Sequence, residues 1–182
     1  YYNKCTQDGL YEYYKAISDA VNIPIIMYNV PSRTGTTIQP ETAVRIAKEV
    51  KNVVAIKEAS GNISAVAKLA SLANGCIDIY SGNDDQVLPI LSLGGKGVIS
   101  VWSHVAPKKV HDMVYAFLDG DIETAQKLQL EAIDVIGALF CEVNPIPVKA
   151  AMNMLGYKVG TVRAPLTELT DAHKEVLKKA LK

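Results

Sequence analysis

Four times in the first hundred residues a short apolar, β-branched run gives way, across a brief loop, to a stretch of helical period. That alternation restricts the fold more than any other feature of the chain. The runs are IPIIMYNV (23–30), VVAIKEA (53–59), IDIYSG (77–82) and GVISV (97–101). Helical patterns fall at 8–21, with Leu10, Tyr14, Ile17 and Val21 on one stripe, and at 40–50, with Pro40 near the first turn. Others lie at 62–73, started by Asn62, and at 84–93, where Pro89 interrupts the pattern. Loops this short suit right-handed βαβ crossovers and a parallel sheet. Val53, Val54, Ala55 and Ile56 are apolar on both alternating faces, which predicts a strand covered on both sides.

After Val101 the strand signal stops. Helices are expected at 107–119, with Pro107 at the start and Gly120 past the end, at 121–140, at 147–155 closed by Gly156, and at 170–181 capped by Thr170. The stripe Ile122, Ala125, Leu128, Ala132, Ile136, Leu139 is broad enough to bury against neighbours. The division expected is 1–120 for the α/β part and 121–182 for a helical C-terminal domain. Four βα units fit a doubly wound sheet and also half of an eight-stranded barrel, and periodicity does not choose between them. The 182 residues fall short of the about 250 usual for a whole barrel. The chain opens YYNKCTQDG, without Met, and reads as a piece of a longer protein.

Charge narrows the partners. Lys plus Arg equals Asp plus Glu at 19 each, with no long block of either sign, so neither nucleic acid nor anionic lipid is indicated and a small metabolite is the better fit. No apolar run reaches the roughly 18 residues of a membrane span, and no signal peptide opens the chain. Cys5, Cys76 and Cys141 are odd in number, far apart and without CxxC spacing, which points to buried or idle thiols in a reducing cytosol.

In an α/β fold, ligands gather at the carboxyl ends of the strands. There the chain places Tyr28, Asn29, Pro31, Ser32 and Arg33, then Lys57, Glu58, Ser60 and Gly61, then Ser81 to Asp85, and finally Ile99 to His104. Lys57 closes an otherwise apolar strand. Desolvation would disfavour its charged form and free a lone pair to condense with a ketone; the plainer alternative is a lysine that snorkels to solvent. Tyr28 could relay protons or simply fill a core, and Arg33 could clamp a carboxylate or form a surface ion pair. SGNDD and LGGKGV fit no Walker or dinucleotide fingerprint, and Asp84 and Asp85 suit helix capping better than metal binding. His104, His111 and His173 have no metal-site spacing, so no metal is expected.

Taken together, YNVPSRTG (28–35), IKEASGN (56–62), YSGND (80–84), GGKGVISV (94–101) and NPIPVKAAM (144–152) resemble the dihydrodipicolinate synthase family, pyruvate-dependent Schiff-base lyases related to N-acetylneuraminate lyase. The match runs in order from the first residue to the last. The resemblance implies a (β/α)8 TIM barrel followed by helices, of which this chain would be strands five to eight plus the tail. It implies that Lys57 forms the imine with pyruvate, that Tyr28 relays protons, and that Arg33 binds the carboxylate of aspartate semialdehyde. Gly82 and Ile99 would line the pyruvate pocket. Tyr2 would reach across a dimer interface into the neighbour's relay, and Tyr1 would lie near a lysine-feedback site found in some members. The implied reaction needs no cofactor, belongs to diaminopimelate and lysine biosynthesis in the cytoplasm, and is run by homo-oligomers, dimers or tetramers. The family relay also uses a threonine from the amino-terminal half of the barrel, which this chain lacks. SRTG after YNVP favours a small carboxylated aldehyde over the sugar substrates of other pyruvate lyases, the nearest alternative. The other alternative is a catalytically silent piece acting only in assembly, because a solitary half barrel would leave two strand edges unpaired.

Overall fold

A computed structural model describes residues 3–182, so Tyr1 and Tyr2, with the roles expected of them, lie outside the described residues. The chain forms two compact units, one ending at Ile99 and the other running from Ser100 to Lys182.

The first unit carries the four expected strands, β1 (Ile25–Asn29), β2 (Val53–Glu58), β3 (Asp78–Ser81) and β4 (Gly97–Val98). They lie side by side in chain order and all neighbours are parallel. The helices are α1 (Gln7–Ala20), α2 (Pro31–Thr34), α3 (Pro40–Glu49), α4 (Ile63–Ala73) and α5 (Val87–Ser92), the last preceded by a 3-10 turn, Asp84–Gln86. Their starts follow local chemistry. Thr6 accepts from the Gly9 N–H at 3.1 Å and Asn62 from the Ala65 N–H at 3.0 Å, each satisfying a donor that the first turn leaves over. Pro89 falls in the first turn of α5, where its missing N–H costs nothing.

Met27, Ile56 and Ile79 point to one face of the sheet and pack with Ile46, Val66, Leu69 and Ile90 from α3, α4 and α5. Leu10 and Tyr14 of α1 join the same cluster, so the helices cover one face only. A doubly wound sheet would carry helices on both. The expectation of a strand covered on both sides is corrected in part: Val53, Ala55 and Ile56 of β2 are buried, but Val54 is 45% exposed, and Ile26 and Tyr28 of β1 and Ile99 past β4 are 47%, 43% and 40% exposed. Val54 is exposed for a further reason. The β1–β2 register slips between Ile25 and Ile26, pairing them with Val53 and Ala55, so Val54 is an extra residue in the ladder.

Strand β4 is shorter than the run GVISV suggests. Ile99 still donates to the Ser81 carbonyl at 2.9 Å, but Ser100 then accepts from the Ser103 N–H at 2.8 Å on its hydroxyl, and this side-chain bond turns the backbone out of the ladder.

The second unit is helical: a 3-10 turn at Trp102–His104, then α6 (Pro107–Leu118), α7 (Ile122–Glu131), α8 (Ile133–Leu139), α9 (Ile146–Met154) and α10 (Asp171–Ala180). Gly120 follows α6 with φ +90°, which only glycine adopts without strain. The helix expected over 121–140 breaks at Ala132, where the backbone tightens to an Ala132 N–H to Gln129 carbonyl bond of 3.3 Å, and no glycine or proline marks the place. Ala125, Ala132, Ile136 and Leu139 of the expected stripe are buried, but Ile122 at its end is exposed. Thr170 precedes α10 as expected, yet its hydroxyl makes no cap bond to the helix backbone: it donates to Glu142 Oε1 at 2.7 Å and lies 3.1 Å from His173 Nδ1. Cys5 and Cys76 are exposed rather than buried, and all three cysteines are free. No helix among the described residues is long and apolar enough to cross a membrane.

Candidate active site

Parallel pairing puts Tyr28 opposite Lys57, Lys57 opposite Tyr80 and Tyr80 opposite Gly97. Residues that face one another across a sheet share a side of it, so Tyr28 and Lys57 stand next to each other on the face without helices. The Lys57 ammonium lies 4.2 Å from the centre of the Tyr28 ring. A contact of this kind on a partly exposed surface is worth about 0.5–1 kcal/mol and restrains a side chain that otherwise has four rotatable bonds. Lys57 itself is half-buried, so the described residues form one wall around it.

Gly82, one residue past β3, makes room for the lysine stem. A Cβ built on it would meet Ala59 Cβ at 2.6 Å, the Glu58 carbonyl oxygen at 3.1 Å and Lys57 Cε at 3.1 Å. Its own N–H donates to that carbonyl at 2.7 Å, which carries the β2–β3 ladder one residue beyond the Lys57–Tyr80 and Glu58–Ser81 pairs. The Ser81 hydroxyl donates to the Asn83 carbonyl at 2.7 Å and accepts from the Asn83 N–H at 3.2 Å, fixing the turn in which Gly82 sits. Gln86 Nε2 then donates to the Gly61 carbonyl at 3.2 Å, tying this loop to the one after β2.

Tyr28, Lys57 and Gly82 are thus brought together, and Ile99 stands at the end of the next strand. Arg33 is placed differently. It lies exposed in the last turn of α2, five residues beyond Tyr28, where Pro31 starts the helix and Gly35 ends it with its N–H on the Pro31 carbonyl at 2.8 Å. Tyr14 of α1 hydrogen-bonds the Tyr28 backbone, and burial pushes its phenol pKa up while that bond draws it back.

The opposite face holds groups whose part the sequence did not disclose. Asn29 and Glu58, each next in chain to Tyr28 and Lys57, are register partners and are only 3% and 5% exposed. Asn29 Nδ2 donates to Glu58 Oε2 at 2.9 Å, the Ser60 N–H donates to Glu58 Oε1 at 2.7 Å, and the Ile38 N–H donates to Asn29 Oδ1 at 2.9 Å. The signal that could have found them is their parity: two polar residues on the helix-covered face of a strand must satisfy each other.

Among the described residues no group of three or more His, Cys, Asp or Glu could hold a metal ion. Asp84 and Asp85 open the 3-10 turn Asp84–Gln86, with Asp84 buried. His111 stacks on Tyr115 with ring centres 4.4 Å apart, and His173 pairs with Glu142.

Known structures share this architecture over the whole chain. The dihydrodipicolinate synthase of Thermotoga maritima superimposes with a TM-score of 0.96 at 43% identity, covering 100% of this chain and 62% of its own. The chloride-inhibited dihydrodipicolinate synthase of Acinetobacter baumannii, solved in complex with pyruvate, gives a TM-score of 0.95 at 42% identity, covering 100% and 62%. The 4-hydroxy-tetrahydrodipicolinate synthase of Caldicellulosiruptor bescii is 61% identical over 181 residues, which are 100% of this chain and 61% of that protein. Residues 1–182 match the family model described as the Dihydrodipicolinate synthetase family, and the chain belongs to that family. It spans about three-fifths of the length of the curated relatives it matches.

Proposed function

We propose that this chain carries the Schiff-base side of a dihydrodipicolinate synthase active site. The observation that carries the reading is the Lys57 amine held 4.2 Å from the Tyr28 ring, at the carboxyl end of neighbouring parallel strands. In this reading the Lys57 lone pair attacks the keto carbon of pyruvate, and loss of water leaves an imine. The imine draws electrons from the adjacent methyl, which loses a proton and becomes an enamine carbon nucleophile. That carbon adds to the aldehyde of aspartate semialdehyde; the substrate's amino group then attacks the imine carbon, expels Lys57 and closes the ring. Tyr28 relays the protons. Arg33 meets the semialdehyde's carboxylate with a planar two-pronged donor set. Gly82 and Ile99 border the pyruvate.

Family membership and the pyruvate complex of the Acinetobacter baumannii relative support the substrate assignment. The four consecutive parallel strands with helices on one face support strands five to eight of a (β/α)8 barrel, with the uncovered face toward its interior. In such a barrel each strand is followed by a helix, the ground for proposing a division at 1–120 and 121–182. The amino-terminal half would furnish the opposite wall and the remaining relay group. Tyr2 then belongs to a dimer interface within a homodimer or homotetramer, and Tyr1 to a lysine-feedback site. The test is to incubate the chain with pyruvate and borohydride and map the added mass. An adduct on Lys57 is expected. Its absence would leave the second reading, an assembly piece without chemistry, which the exposed Ile26, Val54 and Ile99 favour. Adding the amino-terminal half in trans and assaying condensation then measures what the missing wall contributes.

A further inference from the structure

We propose that Asn29 and Glu58 are positioning residues for Lys57 and Tyr28, acting as a hydrogen-bonded clasp on the reverse of the sheet; the inference rests on the function proposed above. The two reactive side chains emerge on one face from positions 28 and 57, and the clasp residues emerge on the other from positions 29 and 58. Neighbouring strand residues share a peptide unit, so a twist at one Cα turns the next. Holding Asn29 and Glu58 therefore holds the angle between the phenol and the amine.

The clasp is over-determined. Each Glu58 carboxylate oxygen has its own donor, Asn29 Nδ2 at 2.9 Å and the Ser60 N–H at 2.7 Å. The Asn29 side-chain carbonyl oxygen is engaged by the Ile38 N–H, which fixes which end of the amide faces Glu58. Backbone bonds close the same place, Ala59 N–H to the Asn29 carbonyl at 2.9 Å and Gly82 N–H to the Glu58 carbonyl at 2.7 Å. A buried carboxylate bonded to two donors is costly to strip of either. A purely apolar pair would fill the same space without fixing a rotation, because packing is tolerant of small turns and a directional bond is not.

The test exploits the polarity of the clasp. Glu58→Gln sets an amide donor against a donor, and Asn29→Asp sets carboxylate against carboxylate. The double swap Asn29→Asp with Glu58→Gln reverses donor and acceptor and satisfies every group again. The carboxylate introduced at position 29 would accept from the Ile38 N–H and from the amide introduced at position 58, whose oxygen takes the Ser60 N–H. Two readouts are taken on the chain at a temperature where circular dichroism shows it folded. One is the rate of the borohydride-trapped pyruvate adduct on Lys57. The other is acetylation of Lys57 relative to Lys48 and Lys51, which needs no pyruvate.

Each single variant is expected to slow trapping about tenfold or more, since an ångström of misplacement costs on the order of 100-fold. Each should also raise relative acetylation about two- to five-fold, the factor carried by loss of an exposed cation–π contact. The double swap should recover both. Single variants that trap and acetylate at the parent rates overturn the inference, and so does a folded double swap that fails to recover. If the parent chain itself gives no adduct, the proposed function fails and the acetylation ratios alone decide the clasp. Should either single variant not fold, Glu58→Asp keeps both acceptors but withdraws them by one methylene, and unchanged acetylation in it overturns the clasp.

Discussion

Gly82→Ala tests whether the lysine stem is held by contact. Gly82 is absent from the residues with positive φ, so alanine meets no backbone penalty there and the effect is one of space alone. The added methyl would stand 2.6 Å from Ala59 Cβ, whereas carbon atoms rest at about 3.5–4.0 Å. Ala59 Cβ is fixed to its backbone and cannot rotate away, so one of the two loops must retreat by roughly 1 Å. Overpacking of this kind costs about 1–3 kcal/mol. For a chain of this length each kcal/mol lowers the melting midpoint by about 2–4 °C, which gives a fall of roughly 2–12 °C. The second contact matters more for chemistry: Lys57 Cε, at 3.1 Å from the new methyl, is pushed along with its amine. Cε must yield by a few tenths of an ångström, so trapping of pyruvate at Lys57 should fall several-fold, less than the roughly 100-fold that a full ångström of misplacement costs. The assay is the borohydride adduct rate beside a thermal melt. A Gly82→Ala chain that traps pyruvate at the parent rate with an unchanged midpoint would refute the close-approach reasoning.

Other expectations are local. Asn62→Ala removes the acceptor for the Ala65 N–H and should cost about 0.5–2 kcal/mol in urea denaturation, with early exchange of the first amides of α4. Gly137→Ala in α8 meets nothing within 4 Å and should stabilise the chain by about 0.4–1 kcal/mol in the same measurement; destabilisation would mean that the helix is not regular there. The Glu142 pKa is lowered from 4.5 to about 2, first by the hydrogen bond with His173 and then by bonds from the Thr170 hydroxyl and N–H. A folded pKa below the unfolded one means stabilisation fully present above about 4.5 and lost as pH falls through about 2. Amide exchange at the start of α10 should therefore quicken between these limits, and Glu142→Gln should remove that dependence.

Much of the architecture was legible along the chain. The strands and most helix starts follow from patterns confined to a few residues: short apolar, β-branched runs, Asn62 three residues before Ala65, and Pro40 and Pro107 at helix starts; the single turn of helix begun by Pro31 was not among the expected elements. The break at Ala132 was not legible, because no local breaker causes it. Nor was the turn of Thr170 toward Glu142, 28 residues away in sequence, in place of the cap its position suggests.

The candidate site divides the same way. Sequence alone determined that a lysine stands near the end of an apolar strand, that a tyrosine stands near the end of the strand before it, and that a glycine follows the third, because strand period and loop length act within short segments. Only the tertiary structure decided that one face of the sheet is bare, that the amine rests over the phenol ring, and that Asn29 and Glu58 grip each other behind them. Those facts depend on distances between residues about 30 positions apart, and such distances are set by which surfaces the packed helices cover and which hydrogen bonds must close when polar groups leave water.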